Sequence, residues 1–477
     1  MAVPVSSSPS SLTRRLGPYD AAAIIVSNVI GGGILFSPPQ IAANVPHPWL
    51  FLATWLAGGA LAFAGAMAYA ELATLRPRSG GEYVYLDAAF GRLSAFLTGW
   101  TSFVAGFSGA IAASAVVFAF YLGRFVPAAA SDAPLVVVPI PWILLTISRQ
   151  SIVALAVIAL ICWIHVRGVG PGRIVGNLLA GLKVSALVVF IALGLSIGSG
   201  SAANLQSSGD SVGAASWLLA LVPVMFTYAG WNAASYVAEE IRDPDRNVPL
   251  ALAAGTIAVV VMYLLLNVLY LYVFPIGALA AVKGSVLDVI ADRLLGPRAG
   301  DIMGVVSIVS LAASISAMTI AGPRVYYAMA RDGVFLSPAA RVHRRFRTPA
   351  VSIVAQSVWS GLLVLSGGAS ALIRYTGFAV VLFSGVAVAA LFVLRAREPR
   401  APRPFRALGY PVAPAVFVVA SLLIVANAIY SDPRPSGAGL LIIAAGVPVY
   451  LMFTRRRSRT GNPSRAARAS ASRGIPS

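Results

Sequence analysis

Apolar stretches of about 20 residues recur along the whole chain, and no other feature restricts the possible folds as strongly. A helix of this length crosses the hydrocarbon core of a bilayer. Only 11% of the 477 residues are charged, whereas a water-soluble domain usually carries about 25%. The sequence therefore predicts an all-α polytopic membrane protein.

We predict twelve transmembrane helices. Their expected bounds are residues 18–44, 49–75, 93–123, 149–168, 174–198, 214–241, 248–274, 301–330, 350–366, 372–394, 410–430 and 437–454. Most of the arginines between spans lie in the even-numbered loops, and seven others lie in the tail that follows the last span. The positive-inside rule then places both termini in the cytoplasm, and we expect the membrane to be the inner membrane of a bacterium.

The formal net charge of +19 follows from this topology, so we do not expect nucleic acid as a partner. The basic C-terminal tail is expected to lie against anionic membrane lipids. The single cysteine, Cys162, falls inside the fourth span, so no disulfide-linked partner subunit is expected. The three histidines lie far apart, and neither a metal site nor a cofactor is expected.

The first span contains an unusual segment, VIGGGILFSPP, from Val29 to Pro39. Three consecutive glycines and two prolines weaken a helix. A broken helix is stable in a membrane only where it lines a cavity and where other groups pair with its freed amides and carbonyls. The sixth span is interrupted in a similar way by Pro223 and by FTYAGWN, residues 226–232. Two interruptions at corresponding positions indicate a transporter site between inverted repeats.

The chemistry of these two breaks suits a zwitterion. A half-helix that starts after Ile30 presents free amides at Gly32, Gly33 and Ile34, and the partial positive charge of a helix N-terminus favours a carboxylate. Glycines also let a ligand approach the backbone closely. Free carbonyls around Val29 and Ile30, with others at the sixth-span break, suit an ammonium group. Such a substrate would be held without any charged side chain.

Four segments resemble amino acid permeases of the amino acid–polyamine–organocation superfamily, and they are most similar to bacterial relatives of the L-type amino acid transporters. The segments are IIVSNVIGGGILFSPP, YAELATLRPRSGGEYVYLDAAFGRLSAFLTGW, FTYAGWNAASYVAEEIRDPDRNVPLAL and AGPRVYYAMARDGVFLSPAARVHRRFRTPAVSI. The resemblance extends over the chain between residues 18 and 450.

This resemblance implies a leucine-transporter-like fold with discontinuous helices 1 and 6. The expected parts are a cytoplasmic tail at 1–17, a transporter domain at 18–454 and a basic cytoplasmic tail at 455–477. Within the domain, we expect two inverted five-helix repeats at about 18–198 and 214–394 and two further helices at about 410–454.

The resemblance also implies residue roles. The substrate carboxylate would bind at Gly31, Gly32 and Gly33. The amino group would bind at the carbonyls of Val29, Ile30, Phe226, Thr227 and Ala229. Phe226 would also act as an outer gate. Close relatives often have serine at the position of Gly32, so any contact from that hydroxyl is lost in this chain.

Lys183 lies well inside the fifth span, where a lysine is costly and usually functional. The other interpretation is that its side chain extends to the cytoplasmic interface. The resemblance implies that a lysine here occupies the place that sodium takes in sodium-coupled members, with Ser310 and Ser314 of the eighth span as partners. We therefore expect sodium-independent transport. A lysine that stays charged would favour exchange or facilitated uptake, and one that titrates would favour proton symport.

The remaining charged residues are expected to form cytoplasmic networks. We expect Glu71 and Glu82 to pair with Arg324 and Arg331. A solvated salt-bridge network that opens with the inner gate is expected from Glu239, Glu240, Arg242, Asp243, Asp245 and Arg246.

The predicted function is secondary active transport of amino acids by alternating access. Neutral substrates are favoured because neither break contains an acidic side chain. No catalytic motif is present, so we do not expect an enzyme. A channel would need a continuous polar lining. A non-transporting amino acid sensor on the same fold is the main alternative.

Overall fold

The computed structural model describes residues 12–140, 143–206, 211–367, 369–431 and 433–459. The expected N-terminal tail therefore lies outside the described residues as far as residue 11, and the expected basic tail from residue 460 onwards. Most of the described chain is helical, as the recurring apolar stretches predict.

The first eight helices precede residue 200. They are α1 (Pro18–Val29), α2 (Gly32–Asn44), α3 (Pro48–Leu75), α4 (Glu82–Phe90), α5 (Arg92–Thr101), α6 (Phe107–Leu122), α7 (Arg149–Val166) and α8 (Val169–Ser196). One turn of π-helix, Ser102–Gly106, joins α5 to α6, so these two helices form one continuous span.

Ten helices follow. They are α9 (Ala214–Tyr228), α10 (Ala233–Tyr236), α11 (Pro244–Val273), α12 (Ile276–Ala280), α13 (Val286–Leu295), α14 (Pro297–Arg331), α15 (Ala350–Leu365), α16 (Ala369–Arg397), α17 (Val412–Ser431) and α18 (Pro433–Arg459). Short 3₁₀ turns occur at Pro127–Ala130, Ala202–Leu205, Ala238–Glu240 and Ser337–Ala340.

Nine helices of the described chain are long and apolar enough to cross a membrane, and the bent pair of α1 and α2 makes a tenth span. The predicted sixth and ninth spans correspond to two shorter apolar helices, α9 and α15. Each of the twelve predicted segments therefore carries an apolar helix. The chain is an integral membrane protein, and its helical fold class is confirmed.

Both predicted interruptions are present. Helix α1 ends at Val29, α2 begins at Gly32, and their axes are bent by 46°. Helix α9 ends at Tyr228, and the chain then turns before the single turn of α10 begins at Ala233. The glycine and proline residues act locally, which is why their effect could be predicted from the sequence.

The broken spans lie in the interior of the bundle. Helix α1 packs against α8, α11 and α14, and α2 packs against α9, α12 and α13. A buried aromatic cluster of Trp55, Tyr228 and Tyr263 joins α3, α9 and α11, with ring centroids 5.1–6.1 Å apart. This cluster fixes the first half of the sixth span against two continuous spans.

An antiparallel hairpin of β1 (Pro134–Ile140) and β2 (Ile143–Ser148) lies between α6 and α7. Its aliphatic side chains are largely exposed, as at Leu135 and Leu144. The prediction of spans from apolar length did not include this hairpin, because strands this short fall below the length of a membrane helix.

Candidate functional site

The break in the first span presents free backbone donors. Ile30 is extended (φ −74°, ψ 92°), and Gly31 is the N-cap of α2. A helix that begins at Gly32 has no internal acceptors for its first amides, which include those of Gly33 and Ile34. The amides predicted for carboxylate binding therefore belong to the first turn of a half-helix.

The three glycines of this break have different surroundings. A Cβ atom on Gly31 would lie 2.8 Å from the Ser314 hydroxyl, and one on Gly33 would lie 3.0 Å from the Thr227 Cα atom. A Cβ atom on Gly32 would meet no atom of the described residues within 4 Å. Close packing therefore accounts for Gly31 and Gly33, and the open space at the start of α2 lies beside Gly32.

The break in the sixth span directly contacts the end of α1. Gly230 has φ +107°, a conformation that favours glycine. A Cβ atom on Gly230 would also lie 2.9 Å from the side-chain amide nitrogen of Asn28. Only a residue without a side chain fits here, so the two breaks are held together partly by Gly230.

Tyr263 of α11 connects the carbonyls of the two breaks. Its hydroxyl oxygen lies 2.8 Å from the Val29 carbonyl oxygen and 3.1 Å from that of Thr227. The Phe226 carbonyl accepts a hydrogen bond from the Ala229 amide at 3.0 Å. Tyr263 is not among the site residues predicted from the sequence. The sequence feature that could have indicated it is a tyrosine hydroxyl within the apolar run VVVMYLLL.

Lys183 of α8 is fully buried at the end of α1. Its ammonium donates hydrogen bonds to the carbonyls of Ile30 and Ser27, the latter at 3.2 Å. The Ser314 hydroxyl lies 2.8 Å from the same Ser27 oxygen and 3.3 Å from that of Ile30. Ser310 enters this arrangement through its own carbonyl, 3.1 Å from the Ser314 hydroxyl. An ammonium and a hydroxyl thus satisfy carbonyls that the helix break exposes.

Phe226 lies on α9, two residues before that helix ends, and is partly exposed. Its neighbour Thr227 is buried, and the Thr227 hydroxyl contacts the Ser37 hydroxyl of α2 at 3.0 Å. The structure thus brings the first-helix and sixth-helix residues of the predicted site together, with Lys183 and Ser314 beside them.

The even-numbered loops, which contain most of the loop arginines, lie at what we call the arginine-rich end of the bundle. The ion pairs at this end differ from the predicted ones. Arg324 forms a bidentate pair with Glu240 at 2.7 and 3.1 Å, and both side chains are almost completely buried. The prediction of a solvated network is therefore wrong for Glu240. Arg331 pairs with Glu239 at 3.2 Å.

The partners predicted for Glu71 and Glu82 are also wrong. Glu71 binds Arg395 at 2.5 Å and Arg403 at 3.1 Å. Glu82 accepts hydrogen bonds from neutral side chains. The physical reason is that attraction between opposite charges does not select a partner by sequence distance, so the packing of the spans decides.

The segment before α1 pairs with the chain that follows α10. The amides of Arg15 and Leu16 lie 2.9 and 3.0 Å from the Glu240 carbonyl. The Arg242 amide lies 2.9 Å from the Leu16 carbonyl, and Leu16 and Ile241 form a parallel β-bridge. The Glu240–Arg324 pair lies beside this contact, so one cluster holds the ends of both broken spans.

These features define a class: a polytopic helical membrane protein with two broken spans whose helix-terminal amides and carbonyls meet inside the bundle. Comparison with known sequences gives the family. Residues 16–453 match the family model described as "Amino acid permease", and the chain belongs to this family. The match confirms the resemblance inferred from the four sequence segments.

Curated relatives match nearly the whole chain. The b(0,+)-type amino acid transporter 1 of Mus musculus is 30% identical over 456 residues, covering 93% of this chain and 88% of the relative. The large neutral amino acids transporter small subunit 2 of Homo sapiens is 29% identical over 451 residues, covering 93% and 81%. The cystine/glutamate transporter of Homo sapiens is 29% identical over 445 residues, covering 93% and 85%.

Proposed function

We propose that this protein is a secondary transporter that moves neutral amino acids across the membrane by alternating access, without sodium. The observation that carries the proposal is the meeting of the two helix breaks. The Tyr263 hydroxyl lies within hydrogen-bond distance of both breaks, and Gly230 lets them pack together, while the first turn of α2 keeps free amides beside the open space at Gly32. The relatives, whose names describe them as amino acid transporters, support the substrate class.

The carboxylate of the substrate would bind the amides of Gly32, Gly33 and Ile34. These amides carry the partial positive charge of a helix N-terminus, which favours an anion. The open space at Gly32 leaves room for the ligand, whereas Gly31 and Gly33 are packed against α14 and α9.

The ammonium group would bind carbonyls of the two breaks. Tyr263 donates a hydrogen bond to the carbonyl oxygen of Val29 or of Thr227. A carbonyl oxygen has two lone pairs, so it can accept a second hydrogen bond from the substrate. The carbonyl of Ala229 follows the end of α9. Neither break contains an acidic side chain, which supports a neutral amino acid over a cationic one.

Sodium independence is supported by the position of Lys183. Its ammonium donates hydrogen bonds to carbonyls at the end of α1 that would otherwise be available to a sodium ion. The Ser314 hydroxyl lies against the same oxygens, which leaves little room for a second cation. Exchange and proton symport are both compatible with a lysine in this position.

Alternating access would require the ends of α1 and α10 to separate from the rest of the bundle. The Glu240–Arg324 pair and the Leu16–Ile241 bridge hold these ends together and are the candidate inner gate. The arginine-rich end would face the cytoplasm by the positive-inside rule. The two halves of the chain would then be the inverted repeats that move relative to each other.

The experiment is uptake by the purified protein in proteoliposomes. A panel of radiolabelled amino acids is tested in sodium and in choline buffer, with and without unlabelled amino acid inside. We expect saturable uptake of neutral amino acids that is equal in the two buffers. Binding without uptake would indicate a sensor, and uptake that rises steeply with sodium would overturn the assignment of Lys183.

A further inference from the structure

Glu82 differs from the other four of the five glutamates in this chain. The other four form ion pairs with arginines: Glu71 with Arg395, Glu239 with Arg331, Glu240 with Arg324 and Glu398 with Arg76. Within the described ranges, no arginine or lysine forms an ion pair with Glu82. This carboxyl group is therefore stabilised by hydrogen bonds without a countercharge.

The partners of Glu82 are all neutral and come from several elements. The Tyr69 hydroxyl of α3 donates a hydrogen bond at 2.6 Å, and the side-chain amide of Asn232 donates one at 2.8 Å. The hydroxyls of Tyr236 and Ser384 also face the carboxyl group. Asn232 and Tyr236 belong to the second half of the sixth span, whereas Tyr69 and Ser384 lie on α3 and α16.

Among the described residues, the charged groups near α4 interact with Asp87 and not with Glu82, its first residue. Asp87 lies further along the same helix and interacts with Asp332, Arg92 and Arg78. The titratable groups that face Glu82 are the tyrosines Tyr69, Tyr85 and Tyr236. None of these tyrosines supplies a positive charge, so none of them can offset the negative charge of an ionised Glu82.

Burial raises the pKa of the Glu82 carboxyl, and the four neutral hydrogen-bond partners offset only part of this effect. The residue keeps some exposed surface, but the protein encloses the carboxyl group itself. A protonated carboxyl both donates and accepts hydrogen bonds, which suits a ring of hydroxyl and amide groups. An ionised carboxyl in the same place would be an uncompensated charge.

We propose that Glu82 is a proton-binding site that controls movement of the second half of the sixth span. The protonated carboxyl holds Asn232 and Tyr236 against α3 and α16. Loss of the proton leaves a charge that requires water, and water can enter only if α10 moves away from these partners. Because the closed arrangement forms only with neutral Glu82, transport requires the proton to be bound. This inference rests on the proposed amino acid transport, in which that movement is a step.

The first experiment measures exchange with the same pH on both sides of the liposome, so that no proton gradient acts. The probe is the neutral amino acid that the uptake panel identifies. For the wild type we expect a constant rate at acidic pH and a decrease of about tenfold per pH unit above the pKa of the site. Glu82→Gln mimics the protonated form, so its rate should not change with pH.

Asp87→Asn is the matched control, because it removes a carboxyl from the same helix. This variant should keep the wild-type pH profile. A wild-type rate that does not depend on pH, or a Glu82→Gln protein with the wild-type profile, would overturn the proposal and leave the proposed transport intact.

A second variant keeps the carboxyl group and tests the same site. Tyr69→Phe removes a hydrogen-bond donor that favours the ionised form, so the pKa of Glu82 rises and the midpoint of the pH profile moves to higher pH. If Tyr69 had only a structural role, its loss would lower the rate equally at every pH, and that result would contradict the proposal.

Infrared spectroscopy of the purified protein reports the proton directly. We expect a carbonyl stretching band of a protonated carboxylic acid that appears as the pH is lowered, present in the wild type and in Asp87→Asn and lost in Glu82→Gln. Absence of a band specific to Glu82 would overturn the proton site. If the wild type carried no amino acid at all, the proposed function would fail, and the infrared titration would still decide the state of Glu82.

Discussion

The hydroxyl oxygen of Tyr263 lies 2.8 Å from the carbonyl oxygen of Val29, and this contact connects the seventh span to the break in the first. The same hydroxyl lies 3.1 Å from the Thr227 carbonyl at the other break. A hydroxyl donates only one hydrogen, so Tyr263 can hold one break at a time. It is therefore placed to stabilise different arrangements of the two half-helices.

Replacing Tyr263 with phenylalanine should weaken substrate affinity. The net contribution of one such hydrogen bond is about 1 kcal/mol, so we expect KM for uptake to rise about fivefold. Tyr270→Phe is the matched control, because Tyr270 is equally buried on α11 and its hydroxyl has no partner among the described residues. Equal effects of the two variants would contradict a specific role for Tyr263.

Gly32 and Gly33 should respond differently to added side chains. Gly32→Leu places bulk in the open space beside the free amides, so uptake should fall at least about tenfold while the melting temperature changes little. Gly33→Ala should lower the melting temperature, because its Cβ atom would lie 3.0 Å from the Thr227 backbone. A Gly32→Leu protein with wild-type uptake would remove the argument for an anion site.

Lys183→Met removes the ammonium and keeps much of the side-chain volume. The carbonyls of Ser27 and Ile30 then lose their charged donor, and each such hydrogen bond is worth about 1.5–3 kcal/mol. We expect substrate binding to weaken about tenfold or more, although Lys183 need not touch the substrate. Titration of the purified variant with labelled substrate measures this. Unchanged affinity would mean that Lys183 does not support the break.

The buried pair of Glu240 and Arg324 should show strong coupling. Glu240→Gln leaves the Arg324 guanidinium without a countercharge, and such losses cost about 3–5 kcal/mol. Arg324→Met should destabilise the protein for the same reason. The double variant should be more stable than the sum of the single effects predicts. Thermal unfolding of all four proteins measures this, and additive effects would exclude a direct interaction.

Phe226→Ala tests the outer gate. An aromatic ring over an occupied site excludes water and slows escape of the substrate. The partly exposed position of Phe226 beside the sixth-span break allows such movement. We therefore expect both a higher KM and a lower kcat in liposome uptake. If both constants keep their wild-type values, Phe226 is only a packing residue.

Much of the helical architecture could be predicted from the sequence. The predicted second span, 49–75, corresponds to Pro48–Leu75, and the predicted fourth span, 149–168, corresponds to Arg149–Val166. The break after Ile30 lies where the glycines indicated. These features depend on apolar length and on local backbone preferences, and both act within one segment.

The partners of the charged and polar side chains were not predictable in this way. Glu71 meets Arg395, which is 324 positions away, and Glu240 meets Arg324. Several arginines offered similar Coulomb attraction, and only the packing of the spans selects among them. The role of Tyr263 has the same origin, because one tyrosine in an apolar helix gives no sequence signal of the carbonyls that it will meet.

The sequence by itself thus determined where the chain enters the membrane and where two of its helices break, because hydrophobic length, glycine and proline act locally. Tertiary structure decided how those breaks are completed. The carbonyls at the end of α1 that lack partners within the helix accept hydrogen bonds from Lys183, Ser314 and Tyr263, which come from three other helices. A polar group inside the membrane needs a hydrogen-bond partner from the protein, because the hydrocarbon offers none. Only the arrangement of the helices determines which partners are within reach.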